Sequence, residues 1–503
     1  MKLQHFVAIA FSICLNKPDL KAQYQSEWQQ KVNYSIRVTL DTANHALDGD
    51  IEIHYFNQSP TMLNKLYIHL WPNAYKDNQT AFAKQMALNG QYDFLFAKPA
   101  DRGYIDSLKF EANGKFLSWV LLSGQEDVAV IALDVPLQSG QSIVVKTPFH
   151  VKLPKVYSRS GYENGFYAVT QWYPKPAVFD VNGWNTMSYL NQGEFYSEFG
   201  SFHVEIKVPN RYELAATGNL KAQSNDSVFT TYVYEEDHIH DFAWFCSDSL
   251  LIKSDYWVLE DGDTVVLEAY YQGDIKEDVF KYMGKTLDMY GNYIGKYPYK
   301  TCKLVIGPLE AGAGMEYPTI TLCASDQLET IVHEVGHNWF YGIIGNNERR
   351  YPWMDESINS YFDKVVTNSL NESEAGEVIP DKRFYNPISR RAWISKHATF
   401  VGIRQMMAFG TSQAINLTSE AFSNGAYGLV IYGKGPLAFA YLREQIGDDL
   451  FFKCFRDYFQ TWKFRHPLPG DIQRSFEQTC GFSLNWFFND ILSDVNSIDY
   501  ISK

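Results

Sequence analysis

The stretch "TIVHEVGHNWFYG", residues 330–342, contains two histidines four positions apart, with a glutamate directly after the first. The longer segment 325–342 is predicted to form a helix, with Asp326 as its N-cap and Glu329 three residues later. Residues four apart share one face of a helix, so His333 and His337 would point the same way. The sequence then allows either a metal site or a helix whose two histidines are satisfied by hydrogen bonds alone.

A third candidate ligand follows in "PWMDESINSYFD", residues 352–363. A tetrahedral catalytic zinc site takes three protein ligands and leaves one position open for water. Glu356 lies nineteen residues after His337 in a second predicted helix, and a short loop between the two helices would return it to the metal. Asp363 lies two turns, or seven residues, further along that segment, and it could accept a hydrogen bond from the outer nitrogen of a ligating histidine. The alternative for Asp363 is an exposed helix carboxylate.

Composition limits the classes of protein that this chain can belong to. It has 503 residues, which predicts two or three domains, and 46% are hydrophobic, as in folded globular proteins. A net charge of −14 argues against nucleic-acid binding, which needs clustered lysines and arginines. After the N-terminus no run of 18 apolar residues occurs, so the sequence predicts no transmembrane helix.

The N-terminal residues have the layout of a secretory signal peptide. Lys2 precedes an apolar run over 6–15 and a polar stretch that ends at Ala22. We therefore expect residues 1–23 to be a signal peptide and the protein to be exported, to the periplasm, the cell surface or the medium. The alternative is a buried N-terminal strand or helix.

The pattern along the chain changes from strands to helices. Segments such as 32–41, 49–57, 200–209 and 226–235 alternate apolar and polar residues between turn signals, which predicts a β-sandwich domain over 24–258. Apolar residues at helical spacing over 275–295, strands at 302–307 and 319–322, and helices from 326 onward predict a mainly helical domain over 259–503. The expected fold class is thus multidomain, β followed by α+β.

Two further motifs complete a resemblance to a known family. "GAGMEYP" (312–318) precedes the histidine segment, and "YGLVIYGKG" (427–435) follows it. In this order, with the nineteen-residue spacing to Glu356, the motifs resemble those of the zinc aminopeptidases of the alanyl-aminopeptidase and leukotriene-hydrolase family, which are gluzincins. The resemblance covers roughly residues 28–495. It implies an N-terminal β-sandwich, a thermolysin-like catalytic domain and one zinc ion.

The resemblance also implies chemical roles near the metal. His333, His337 and Glu356 would ligate zinc, which lowers the pKa of a bound water toward about 7. Glu334 would take the proton of that water as general base. Tyr432 would donate a hydrogen bond to the tetrahedral oxyanion.

On the substrate side, Glu316 would pair with the free α-ammonium group of a peptide and so restrict cleavage to its first bond. Gly314, with Gly312, would leave room for the peptide beside the strand. In "TQWYP" (170–174) Gln171 matches the family's amine-site loop, whereas Tyr173 replaces its second polar residue. With Tyr173 at that position, the expected amine site has one carboxylate instead of two. Tyr317 likewise replaces the family's asparagine after the signature glutamate.

The chain ends at Lys503, soon after "GFSLNWFFNDIL" (481–492). The resemblance then implies that the family's large C-terminal helical domain is absent, from which we expect a more open cleft; a truncated or split gene product is the alternative. The expected function is a zinc-dependent aminopeptidase acting on peptides with a free N-terminus. Two alternatives stay open: another zinc hydrolase on the same scaffold, and a catalytically silent peptide-binding relative.

Overall fold

The computed structural model describes residues 28–275, 278–310, 312–370 and 398–495. The signal peptide predicted over 1–23 lies outside these ranges. Within them, no helix combines the length and apolar character that crossing a membrane would need.

The first part of the chain is built from β-sheets, as the alternating sequence pattern predicts. In the strand Lys31–Asp41, for example, every second side chain from Val32 to Leu40 is buried. The largest sheet follows the spatial order Asn219–Asn225, Phe229–Ile239, Gly200–Pro209, Lys31–Asp41, Ala46–Phe56, Ser142–Lys152, Glu111–Ala112 and Lys115–Phe116, with Tyr104–Asp106 also paired to Ser142–Lys152.

Three smaller sheets complete this β domain. One has the order Gly161–Glu163, Phe166–Val169, Trp244–Ser247 and Glu213–Ala216; another has Lys175–Pro176, Leu63–His69, Gln125–Leu137 and Trp119–Leu122; the third is the hairpin Val178–Asp180 with Gly183–Asn185. A short helix, Ala81–Leu88, begins after Thr80, whose side chain accepts a hydrogen bond from the Ala83 amide.

A five-stranded sheet opens the second part, in the order Leu251–Val258, Thr264–Tyr271, Thr301–Ile306, Ile320–Cys323 and Gly314–Tyr317. Its first two strands form a hairpin that pairs Val258 with Thr264. The sheet therefore begins at Leu251, ahead of the boundary predicted at 258/259, which falls in the turn of this hairpin. At the opposite edge lies Gly314–Tyr317, called here the signature strand, which pairs antiparallel with Ile320–Cys323.

Helices make up the rest of the second part. Their bounds are Val279–Tyr293, Leu328–Gly336, Glu356–Leu370, Ala398–Ala408, Asn424–Leu429, Gly435–Ile446, Asp448–Trp462 and Pro469–Cys480. The π-helical segments Val430–Lys434 and Trp486–Ile491 and the 3₁₀ turns Pro352–Met354 and Ser419–Ala421 also lie in this part, whereas the 3₁₀ turns Trp71–Tyr75 and Pro99–Asp101 belong to the β domain. We call Leu328–Gly336 the histidine helix and Glu356–Leu370 the glutamate helix. One hydrophobic core runs from the β domain into both of these helices, from Ile36 to Val335 and Ile358.

Candidate metal centre and peptide cleft

The histidine helix starts at Leu328, and its N-cap is Gln327, which makes no side-chain capping bond. The prediction of Asp326 as the N-cap was wrong by one residue. The helix ends at Gly336, and His337 keeps helical backbone angles as the C-cap, so the two histidines still share one face.

Gly336 lets the glutamate helix approach the histidine helix closely. A Cβ at this position would overlap the Asn359 amide oxygen and the Tyr290 hydroxyl. These two groups are hydrogen-bonded to each other at 2.8 Å, and the Asn359 amide also donates to the His333 carbonyl at 2.8 Å. The close approach brings Glu356 opposite the two histidines.

Three ligand atoms from the two helices converge on one point. The Nε2 atoms of His333 and His337 lie 3.0 Å apart, and Glu356 Oε2 lies 3.4 Å and 3.3 Å from them. Donors held at about 2.0–2.1 Å around a tetrahedral zinc ion would be separated by about 3.3 Å. Glu356 Oε2 is buried without a hydrogen-bond partner among the described residues. The donor set and its spacing therefore fit a zinc ion.

Carboxylates hold the outer nitrogens of both histidines. His333 Nδ1 donates to Asp363 Oδ2 at 2.8 Å, which confirms the hydrogen bond predicted from sequence. His337 Nδ1 donates to Asp355 Oδ1 at 2.7 Å. Such bonds fix the tautomer that leaves Nε2 free to ligate a metal. Asp355 was not predicted, although its place directly before Glu356 was a usable signal.

The electrostatics of this centre favour a bound cation. Burial and the neighbouring His337 lower the pKa of His333, but hydrogen bonds to Asp363 and Glu356 outweigh them and raise it to about 10. Burial also raises the pKa of Glu334 to about 7, against the opposing effect of the two histidines. Carboxylates around the donors thus stabilise positive charge at the point where they converge.

Glu334 and the signature strand are in direct contact. A Cβ at Gly314 would overlap the Oε1, Cδ and Cγ atoms of the Glu334 side chain. Glycine here therefore makes room for the predicted general base.

Tyr432 lies next to the metal ligands, within the π-helical segment Val430–Lys434. Its hydroxyl donates to Glu356 Oε1 at 2.5 Å, and its ring centroid lies 5.9 Å from that of His333. Tyr427 packs edge-on against it at 6.0 Å. The structure thus brings Tyr432 to the metal centre, as the sequence predicts.

A cavity of about 530 Å³ joins these groups and extends to two further acids, Glu316 and Glu194. Each has one carboxylate oxygen that is buried and without a hydrogen-bond partner among the described residues, Glu316 Oε1 and Glu194 Oε2. The other oxygen of Glu194 pairs with the buried guanidinium of Arg159. Burial raises the pKa of Glu316 well above its ordinary value, and Glu194 adds to this effect. Glu194, in "NQGEF" (191–195), was missed because no motif surrounds it.

Gln171 lies elsewhere. Its amide donates to Asp241 Oδ2 at 2.5 Å and its carbonyl accepts from Lys175 at 2.9 Å, so both ends are occupied. Tyr173 donates to the same Asp241 at 3.2 Å. Neither side chain lines the cavity that holds the metal ligands. The loop that resembles an amine site instead forms a buried polar junction around the ion pair Lys175–Asp241, 2.7 Å long.

A larger cavity, of about 940 Å³, opens elsewhere among residues that include Trp28, Phe199 and Phe464. None of the metal donors and none of the acids described above line this cavity. Its larger volume is therefore no reason to place the active site there.

Comparison with known proteins agrees with this geometry. Residues 279–491 match the Peptidase family M1 domain. This segment is a peptidase family M1 domain. Among curated proteins, aminopeptidase Q of Felis catus is 24% identical over 150 residues, and human aminopeptidase B is 25% identical over 211 residues. These matches cover 29% and 40% of this chain but only 14% and 30% of the relatives' own length.

Solved structures show the fold over nearly the whole chain. An M1 zinc metallopeptidase from Deinococcus radiodurans bound to Tyr-Ser-Ala has a TM-score of 0.65 and 13% identity, covering 94% of this chain and 96% of its own. Aminopeptidase A of Legionella pneumophila has a TM-score of 0.64 and 11% identity, covering 93% of this chain and 50% of its own. The predicted arrangement, a β domain followed by a mainly helical domain, is therefore confirmed.

Proposed function

We propose that this protein is a zinc aminopeptidase, which hydrolyses the first peptide bond of peptides with a free N-terminus. The observation that carries the proposal is the buried Glu316 carboxylate, which has an unpartnered oxygen in the same cavity as the three metal donors. A buried carboxylate of this kind is stabilised by a cationic group of the substrate. The aminopeptidase names of the curated relatives support the same activity.

When bound at His333, His337 and Glu356, zinc would supply Lewis acidity and would lower the pKa of a bound water to about 7. Glu334 takes a proton from the attacking water and passes it to the nitrogen of the leaving amine. Burial raises the pKa of Glu334, which makes its carboxylate a stronger acceptor for that proton.

Tyr432 stabilises the negative charge that develops on the carbonyl oxygen of the scissile bond. Its hydroxyl must turn from Glu356 Oε1, where it donates at 2.5 Å, to the substrate oxygen. One such donor contributes about 3 kcal/mol to the transition state in other hydrolases.

The substrate's α-ammonium group lies between Glu316 and Glu194. Because Arg159 already neutralises one oxygen of Glu194, the two acids together bind one additional positive charge. The proposed ammonium-binding site therefore has two carboxylates, one from each part of the chain, whereas the sequence predicted one. The signature strand, at the edge of its sheet, offers backbone groups beside which the peptide can extend.

The decisive experiment uses a series of aminoacyl-p-nitroanilides and the same compounds N-acetylated, with and without a zinc chelator. We expect chelator-sensitive cleavage of the free-amine series alone. Glu334→Gln is the matched control, which should retain zinc and lose turnover by orders of magnitude. Cleavage of the acetylated series at equal rates would point to an endopeptidase, and zinc binding without any cleavage would point to a peptide-binding protein.

We also propose that the protein is exported. The support is Lys2 followed by the apolar run over 6–15. N-terminal sequencing of the mature chain should give a start near Gln23 or Tyr24; an intact Met1 in the cytoplasmic fraction would contradict export.

A further inference from the structure

The cavity that holds the metal donors is lined by acidic side chains and by a lysine on the glutamate helix. Glu194 and Glu316 lie at the end formed by the signature strand. Beyond the metal ligands the walls continue along the two helices, with Glu329 and Thr330 on one side and Lys364 on the other. A peptide held by its ammonium group at the first end would extend toward the second.

The position of Lys364 on the glutamate helix sets its distance from the metal centre. It follows Glu356 by eight residues, which corresponds to about 12 Å along the helix axis. Long side chains on helices lean toward the helix N-terminus, a preference that would direct its ammonium group back toward Glu356. Ser360, one turn from Glu356 on the same face, also lines the cavity and places Lys364 on the cavity side of the helix.

Among the described residues, Arg159 and Lys364 are the lysine and arginine side chains that line this cavity. Only Arg159 is paired with a carboxylate. Arg159 donates to Glu194, to Ser158 Oγ and to the carbonyl of Leu190, the last two at 3.2 and 3.1 Å. For Lys364 the structure shows no ion pair and no side-chain hydrogen bond within the described residues. Its neighbour Asp363 is engaged by His333 at 2.8 Å. Lys364 is thus an available cation in a cleft that is otherwise rich in carboxylates.

We propose that Lys364 binds the C-terminal carboxylate of short peptides, so that tripeptides with a free C-terminus are the favoured substrates. This inference rests on the proposed aminopeptidase function and adds the length of its substrate. Two residues beyond the scissile carbonyl extend about 7 Å, and a lysine side chain reaches about 6 Å, which together match the separation along the helix. A charge-assisted hydrogen bond between ammonium and carboxylate is the recognition chemistry.

The test compares kcat/KM for Ala-Ala-Ala with that for its C-terminal amide, in the wild type and in Lys364→Met. We expect the wild type to favour the free acid about tenfold, and the ratio to fall to near one in Lys364→Met and to recover in Lys364→Arg. Lys281→Met removes an exposed lysine of the helix Val279–Tyr293 and should leave the ratio unchanged. Ala-Glu-Ala amide is a third substrate, which offers a side-chain carboxylate in place of the terminal one.

The results separate this inference from the proposed function. If alanine p-nitroanilide is not cleaved by the wild type, the aminopeptidase proposal fails first. If it is cleaved and the acid-to-amide ratio is the same in wild type and Lys364→Met, the carboxylate role is refuted. The carboxylate role would also be overturned if Ala-Glu-Ala amide were the one substrate favoured through Lys364. Lys364 would then recognise an acidic second residue and not the C-terminal carboxylate.

Discussion

Gly314→Ala should inactivate the protein by displacing its general base while leaving the metal ligands in place. The added Cβ would overlap three atoms of the Glu334 side chain. Carbon atoms in contact normally lie about 3.5–4.0 Å apart. The carboxylate must therefore move by about 1 Å or more, because the signature strand is held in its sheet by pairing with Cys323.

A displacement of about 1 Å at a catalytic group costs about 100-fold in rate. This corresponds to about 2.7 kcal/mol of transition-state stabilisation. The three atoms nearest to the added methyl group all belong to Glu334, and none of them is a zinc donor. We therefore expect kcat to fall about 100-fold while the zinc content stays at that of the wild type.

The assay is steady-state hydrolysis of alanine p-nitroanilide, together with zinc analysis and thermal unfolding. Gly291→Ala is the matched control, because a Cβ there meets no atom within 4 Å and the residue lies inside the helix Val279–Tyr293. The control should keep full activity and gain up to about 1 kcal/mol in the free energy of unfolding. A Gly314→Ala variant with wild-type kcat would show that Glu334 does not act from its observed position.

Three further substitutions or treatments test other parts of the structure. Tyr432→Phe should lower kcat about 100-fold with a smaller change in KM, and an unchanged kcat in zinc-loaded protein would place the oxyanion donor elsewhere. Lys175→Met should lower the free energy of unfolding by about 3–5 kcal/mol, because it leaves Asp241 buried without its cation. Lys207→Met is the control: this lysine belongs to an exposed ion pair, and its loss should lower the free energy of unfolding by less than about 1 kcal/mol. Oxidised glutathione should convert Cys454 and Cys480, whose Sγ atoms are 3.4 Å apart, to a disulfide. The mass should fall by two hydrogens and the free energy of unfolding should rise by about 3 kcal/mol. An unchanged mass would show that this pair cannot form a disulfide.

The metal centre could be predicted because its signal is local. His333 and His337 are joined by one helical turn, and Glu356 lies within a single helix–loop–helix unit. Helical spacing alone placed Asp363 beside His333. Sequence distance was therefore a good guide to spatial distance in this part of the chain.

The amine end of the cleft could not be predicted in the same way, because it joins distant segments. Glu194 and Glu316 are separated by more than one hundred residues, and only the packing of the β domain against the five-stranded sheet brings them to one cavity. For Gln171, a sequence match did not correspond to a place in the cavity. The residue matches a family loop, yet its amide is hydrogen-bonded at both ends, to a nearby lysine and to the distant Asp241.

The distribution of buried carboxylates connects the fold to the proposed reaction. Glu194, Glu316, Glu334 and Glu356 each have an oxygen that is buried and unpartnered within the described residues. Burying ionised carboxylates near one another is costly unless cations compensate them. The positive groups that line the same cavity are Arg159, which engages Glu194, Lys364 on the glutamate helix, and the two histidines, which must be neutral at Nε2 to ligate a metal. A divalent ion at the histidines and an ammonium group at Glu316 would supply the missing charge. The fold is thus organised to be stabilised by zinc and substrate together, and we expect thermal stability to rise when each is added.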